Sequence, residues 1–131
     1  MLVPCEVAVK CVLPVIRAMI AIELTTKQNL KQEEAAKLLG VSQPAISLYQ
    51  RKIRGKAISL RNDRKIKRSI EEMAARLAEG KMTQKEFIVQ ICEICRAIRA
   101  KGLLCKMHKA FDPSIDIENC EVCTLPVAQC T

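Results

Sequence analysis

The sequence predicts an all-α protein, in which a helix-turn-helix bundle is followed by two longer helices and an irregular cysteine-rich tail. Apolar residues recur at helical spacing along most of the 131-residue chain. Gly40 separates two such patterns by about three residues, the length of a helix-turn-helix elbow. Five of the eight cysteines lie between residues 92 and 123. These features divide the chain into residues 1–60, 61–101 and 102–131, with Cys92 and Cys95 also serving the tail.

The composition limits the range of functions. An apolar content of 50% is ample for one helical core, and 131 residues leave little room for a catalytic domain. Aromatic residues make up only 2% of the chain, namely Tyr49, Phe87 and Phe111, so bases would find few side chains on which to stack. Among nucleic acids, this composition favours double-stranded DNA over single strands.

The net charge of +8 is concentrated in the N-terminal half. Residues 1–68 hold 14 Lys or Arg and 5 Asp or Glu, a balance of +9, whereas residues 69–131 hold 8 and 9, a balance of −1. No stretch reaches about 18 uninterrupted apolar residues, and no basic region precedes an apolar one at the N-terminus. We expect a soluble cytoplasmic protein without a membrane partner. Its cysteines should then serve metal or redox chemistry rather than a disulfide framework.

The segment from Met1 to Leu24 is expected to be helical, with a break or kink at Pro14. Its apolar stripe should pack over the helix-turn-helix and consists of Leu13, Ile16, Ile20 and Leu24. Cys5 and Cys11 on this segment lie neither one nor two helical turns apart. We therefore interpret them as core or partner-facing cysteines.

The helix-turn-helix is expected between Lys31 and Gln50. The predicted buried stripe of its first helix consists of Ala35, Ala36, Leu38 and Leu39. Gly40 should end that helix and Ser42 should cap the next one, whose Ile46 and Tyr49 point inward. The opposite face carries Gln43, Pro44, Ser47 and Leu48. Gln and Ser can hydrogen-bond to bases, and short apolar groups can meet a thymine methyl; the pattern alone would also fit an ordinary helical hairpin.

This stretch resembles the Cro-type, phage-repressor-like (XRE-like) helix-turn-helix, with Gln and Glu early in the first helix, small residues in its middle and Gly in the turn. It is most similar to small archaeal transcriptional regulators, including the helix-turn-helix domain fused to archaeal thiamine-phosphate synthases. The runs PCE from Pro4 and LPVIR from Leu13 also occur there. The resemblance covers residues 3–56, but Asn29 and Lys31 stand where Gly and a capping Thr are common. The DNA-binding residues that it implies are Gln32, Ser42, Gln43, Pro44, Ser47 and Leu48.

The stretch from Arg51 to Arg68 holds 9 basic residues and one acidic residue. It follows directly on the second helix, so its first basic residues are expected to neutralise phosphates beside the groove: Arg51, Lys52, Arg54 and Lys56. Weaker candidates are Arg61, Arg64, Lys65, Lys67 and Arg68. The alternative interpretation is a solvated, highly charged connector.

Two longer helices are expected next. Asn62 should cap a helix that runs to Glu79 before Gly80, with a buried face of Ile66, Ile70, Met73, Ala74 and Leu77. A capping box of Thr83 and Glu86 should open a helix that ends before Gly102. Its expected buried face is Phe87, Ile88, Ile91, Ile94, Cys95 and Ile98. We expect these helices to form a homodimer interface, since symmetric dimers read two half-sites about one helical turn apart.

Three pairs of possible metal ligands share a two-residue spacing: Cys92 and Cys95, Cys105 and His108, and Cys120 and Cys123. Cys130 follows them. A [4Fe–4S] cluster on Cys92, Cys95, Cys120 and Cys123, with Cys105 as alternate, is slightly preferred. A structural zinc bound by cysteines and His108 is the other possibility, although neither CxxC turn contains the Gly or Pro that helps to fold around zinc. The remaining alternative is that these are simply buried thiols.

The sequence thus predicts a sequence-specific regulator that binds double-stranded DNA, with an iron–sulfur cluster as redox or iron sensor. In the alternative, the same DNA-binding module carries a purely structural zinc. An enzyme is disfavoured because the chain has one His and no phosphate-binding Gly-rich loop, and no small-molecule substrate is evident.

Overall fold

The computed structural model describes residues 1–50 and 63–124, and all the regular structure in these ranges is helical. The all-α prediction is therefore confirmed for the described residues. The elements are α1 (Pro4–Cys11), α2 (Leu13–Thr26), α3 (Gln32–Leu39), α4 (Gln43–Gln50), α5 (Arg64–Ala78), α6 (Gln84–Ala100), α7 (Cys105–Phe111) and a 3₁₀ turn, η1 (Val122–Thr124). Within these ranges, no helix combines the length and apolar character that crossing a membrane requires.

Helix α2 is the centre of the fold, because α1, α3, α4 and α5 all pack against it. Ile16, Ile20 and Leu24 of its predicted stripe are fully buried. The predicted break at Pro14 is found two residues earlier, because the helix is interrupted at Val12, between α1 and α2. Pro14 instead lies in the first turn of α2, where its missing N–H leaves no hydrogen bond unmade.

The turn between α3 and α4 has the chemistry that the sequence predicted. Gly40 takes a left-handed conformation with φ of 66°, and the amide of Val41 donates to Ala36 O at 3.0 Å. Ser42 then caps α4 by accepting the amide of Ala45 at 3.3 Å. Lys31 precedes α3 without a side-chain cap. The prediction that Leu38 is buried is wrong, because this side chain is 39% exposed. It lies at the edge of a groove that it forms with the start of α6.

The apolar stripe of helix α5 is buried within the monomer. All five predicted residues are buried, and α5 packs mainly on α2, so this stripe is not a free surface for a second copy. Asn62, the predicted cap, lies outside the described residues. The described cap is Asp63, whose Oδ1 accepts the amide of Ile66 at 3.0 Å and whose carboxylate also pairs with Lys101, the residue that follows α6.

The capping box at the start of α6 is confirmed, since the amide of Glu86 donates to Thr83 Oγ1 at 3.1 Å and the amide of Thr83 to Glu86 Oε2 at 3.3 Å. The same Glu86 oxygen accepts from Arg76 Nη2 at 2.8 Å, which ties α6 to α5. The predicted buried face holds at Ile94 and Ile98, with Phe87, Ile91 and Cys95 partly buried. The prediction that Ile88 is buried is wrong, because Ile88 is 54% exposed and lines surface grooves with residues of α2 and α3.

The segment after Gly102 is less irregular than the sequence suggested. Cys105 and His108 lie on α7, which packs against α1, and the amide of His108 donates to Leu104 O at 2.9 Å. Between α7 and η1 the chain contains no helix or strand, as predicted. Cys130 lies outside the described residues.

Candidate functional site

The outer face of α4 presents the side chains that the sequence singled out. Gln43, Pro44, Ser47 and Leu48 line one shallow surface depression together with Gln32 of α3. Gln43 Nε2 donates to Gln32 Oε1 at 3.5 Å, so the two amides lie side by side at the edge of the depression. Two adaptable amides and a hydroxyl on one exposed helix face form a surface that can hydrogen-bond to base edges.

The inner face of α4 fixes the orientation of this surface. Ala45, Ile46 and Tyr49 are buried against α2 and α3, so the helix cannot rotate without exposing them. Ser42 is exposed, although its Oγ already accepts the cap hydrogen bond from Ala45. A rigid helix with one buried side holds its opposite side chains at fixed spacing, as recognition of a groove requires.

The predicted phosphate contacts are only partly described. Arg51, Lys52, Arg54, Lys56 and Arg61 lie outside the described residues. Four further basic residues are exposed in the first turns of α5: Arg64, Lys65, Lys67 and Arg68.

A second group of candidate side chains is the set of cysteine thiols on α6, on α7 and at η1, of which η1 packs against α6. The thiols of Cys95, Cys105 and Cys120 all lie within electrostatic range of Cys123, since each contributes to its raised pKa. Burial raises the pKa of the Cys123 thiol most strongly. The positive charge of Arg99 opposes this rise, and the three neighbouring thiols add to it.

In the described part of the chain, these thiols do not form a complete set of metal ligands. Among residues 1–50 and 63–124, no three His, Cys, Asp or Glu side chains are gathered tightly enough to hold a metal ion. The seven cysteines of these ranges are all free of disulfides, so thiolate ligands are chemically available. Four sulfur donors are the set that zinc and iron–sulfur centres use, and thiol rotation would have to accompany metal binding.

The other two predicted ligands lie in different surroundings. Cys92 lines a groove with Leu13 and Arg17 of α2 and with Phe87. His108 is buried, and its Nε2 lies 2.8 Å from the carbonyl oxygen of Leu2. A carbonyl can only accept, so Nε2 carries the proton and Nδ1 is the nitrogen left for a metal.

Two residues near the thiols were missed in the sequence. Arg99 is only 4% exposed, and its Nη1 lies 3.8 Å from Cys5 Sγ on α1. Arg99 follows Cys95 by four residues, so helical spacing places it on the same face and could have identified it. Cys5 is separated from Arg99 by 94 positions, and no local pattern predicts that contact.

The N-terminus is held by α7. The amide of Leu2 donates to Asp112 Oδ2 at 3.0 Å, next to the hydrogen bond that its carbonyl accepts from His108. Lys10 of α1 lies 5.2 Å from the centre of the Phe111 ring, within the range of a cation–π contact. These contacts attach the cysteine-bearing segment to the helix that precedes α2.

The tether at Asp112 should make stability depend on pH in acid. Hydrogen bonds from Ser114 and from the amide of Leu2 lower the pKa of Asp112 from 3.8 to about 2. The tether is therefore fully stabilising above pH 3.8, and its contribution is lost as the pH falls through about 2. We expect Asp112→Asn to be less stable than the parent at neutral pH, and the difference to vanish below pH 2 in urea titrations. A difference that stays constant across this range would show that the ionised carboxylate is not the tether.

No model of a protein family matches this chain, and neither a curated protein nor a solved structure is similar enough to count as a match.

Proposed function

We propose that this chain is a sequence-specific regulator of transcription that binds double-stranded DNA, with α3 and α4 as a Cro-type helix-turn-helix. Helix α4 would enter the major groove. The observation that carries this proposal is the pairing of a buried inner face on α4 with an outer face of base-reading side chains, Gln43 and Ser47 among them.

The charge distribution supports the same proposal. Residues 1–68 carry a net charge of +9, and both α3 and α4 lie in this half of the chain. Basic residues beside a recognition helix bind phosphates and fix its register on the duplex, without themselves reading sequence. The charge distribution therefore fits a recognition helix with basic residues on either side of it.

A homodimer is the proposed assembly. With the α5 stripe buried in the monomer, the remaining apolar surface on the two longer helices is the first half of α6, where Ile88 is 54% and Val89 46% exposed. Leu38 of α3 borders the same groove as Ile88. A symmetric contact there would place two copies of α4 on two half-sites.

The second proposal is that the clustered cysteines bind a metal centre. Cys95, Cys105, Cys120 and Cys123 supply four sulfurs, which suffices for a [4Fe–4S] cluster or for zinc. The cluster is the first choice and would make the protein a redox or iron sensor, whereas zinc would be purely structural. This set replaces Cys92 of the set expected from the sequence with Cys105, because the Cys105 thiol contributes to the raised pKa of Cys123 while Cys92 lines the groove facing α2.

Replacing Gln43 with alanine tests the DNA-binding proposal. Selection from random duplexes first supplies a preferred site. Gln43→Ala and Ser47→Ala should then lose discrimination between that site and random DNA, by roughly 1–3 kcal/mol for a lost bidentate base contact. Gln84→Ala is the matched control, since it removes an exposed amide from α6 instead of α4 and should bind as the parent does.

Circular dichroism should be the same for all three variants, because the replaced side chains are not core residues. The groove assignment is wrong if Gln43→Ala and Ser47→Ala select and bind the preferred site as tightly as the parent. It is also wrong if the Gln84→Ala control loses as much discrimination as they do.

A further inference from the structure

The first half of α6 carries an exposed apolar patch between two exposed charges of opposite sign. Ile88 and Val89 are 54% and 46% exposed. Lys85 precedes Val89 by four residues and Glu93 follows it by four, and both charged side chains are exposed. Residues four apart are neighbours on a helix surface, so Lys85, Val89 and Glu93 form one row along the exposed side of α6.

The two charges of this row have no counter-charge within the described part of the chain. None of the ion pairs among residues 1–50 and 63–124 includes Lys85 or Glu93. Their neighbour Glu86, by contrast, pairs with Arg76 of α5 at 2.8 Å. An apolar centre bordered by charged side chains is typical of a surface that binds another protein.

The row is complementary to itself when a second copy is turned by 180°. A two-fold axis places residue i of one copy against residue j of the other, and residue j against residue i. With the axis at Val89, two α6 helices run antiparallel, and Lys85 of each copy faces Glu93 of the other. Symmetry then gives two ion pairs, whereas a parallel arrangement would place like charges against each other.

We propose that the homodimer forms by antiparallel pairing of α6 with α6 of a second copy, about a two-fold axis at Val89, with Lys85 and Glu93 as reciprocal ion pairs. The inference rests on the proposed homodimer and adds the direction and register of its helices. Leu38 of α3 borders a groove with Ile88, so the exposed apolar surface continues from α6 to the helix-turn-helix.

The first test measures the dissociation constant of the dimer by sedimentation velocity of the full-length protein, in reducing buffer without DNA. Lys85→Glu and Glu93→Lys should each raise this constant about tenfold, because each change turns two attractive pairs into two repulsive ones. The variant that carries both changes should return to within about threefold of the parent, since its pairs are again of opposite charge. Lys106→Glu, at an exposed lysine of α7, is the control and should stay within about twofold of the parent.

The signs of these changes separate ion pairing from an effect of net charge. The chain carries a net charge of +8. Lys85→Glu lowers this charge and by itself would ease association, whereas Glu93→Lys raises it and would oppose association. Both changes weaken the dimer only if the two residues pair. An equimolar mixture of the two single variants, one labelled with heavy nitrogen, should also give mainly the mixed dimer in native mass spectrometry.

The second test places a charge on the two-fold axis itself. Val89→Glu sets two carboxylates against each other in the dimer and should leave the protein monomeric. Val9→Glu is the matched control, because Val9 is 61% exposed on α1, and it should dimerise as the parent does. Circular dichroism should be the same for both variants, since neither valine is a core residue.

The outcomes distinguish this inference from the homodimer itself. If the parent dimerises and Val89→Glu dimerises equally well, the dimer uses another surface and the inference is wrong, while the homodimer stands. If Val89→Glu is monomeric but Lys85→Glu strengthens the dimer, the proposed register is wrong. A parent that stays monomeric at every concentration would overturn both proposals and leave this surface of α6 to a different protein.

Discussion

Replacing Ile20 with alanine is expected to cost about 2–5 kcal/mol of folding free energy, a large part of the roughly 5–15 kcal/mol that stabilises an ordinary protein. Ile20 is fully buried on α2, the helix on which α1, α3, α4 and α5 all pack. The cavity that alanine leaves would lie between the helices that hold α4, so little of it can close. Urea denaturation followed by circular dichroism measures the loss.

Ile88→Ala is the matched control for this prediction. It makes the same change of side chain at a position that is 54% exposed in the monomer. Measured at a protein concentration low enough to keep the chain monomeric, it should alter stability by no more than about 0.5 kcal/mol. The comparison therefore isolates burial from the intrinsic effect of exchanging isoleucine for alanine in a helix. Equal losses at the two positions would mean that α2 is not the centre of the fold.

Elements governed by local chemistry could be predicted from the sequence. The stop at Gly40, the cap at Ser42 and the capping box of Thr83 and Glu86 each depend on residues within one helical turn of each other. The grouping of Gln43 and Ser47 on one face follows in the same way from helical spacing. Whether that face binds DNA stays a prediction.

The structure differs from the sequence-based prediction where a residue is surrounded by residues from distant parts of the chain. Helical periodicity assigns Leu38 and Ile88 to an apolar face, but it cannot tell where the covering helix ends, and both are exposed. Helix α7 has little apolar pattern of its own. It is held by contacts with Leu2 and Lys10, about a hundred positions earlier. Such contacts leave no spacing in the sequence that could reveal them.

The candidate metal site shows the same division. The close spacing of the cysteines predicted that a site lies in this region, because density of ligands is a local property. Which thiols come close to each other depends on how the helices pack, and this packing leaves Cys105 within electrostatic range of Cys123. The contact between Arg99 of α6 and Cys5 of α1 depends on packing between residues that lie 94 positions apart.

Cys105→Ala and Cys123→Ala are expected to abolish metal binding in protein purified without oxygen. The parent should carry either iron with acid-labile sulfide, visible as a brown absorption, or stoichiometric zinc without colour. Thiols bind metal only when deprotonated, and we expect the stretch between α7 and η1, which contains no helix or strand, to gain its order from the metal. In both variants, proteolysis should therefore cut the chain after Gly102 first, while α3 and α4 remain folded.

Cys92→Ala is the control that decides between the two ligand sets. Because Cys92 lines the groove between α6 and α2, this variant should keep its metal, in contrast to the set expected from spacing alone. Loss of metal in Cys92→Ala with retention in Cys105→Ala would restore that original set. If the anaerobic parent contains neither iron nor zinc, and the segment after Gly102 is still protected from protease, then packing alone orders it. These cysteines would then be buried thiols, which agrees with the burial that raises the pKa of the Cys123 thiol.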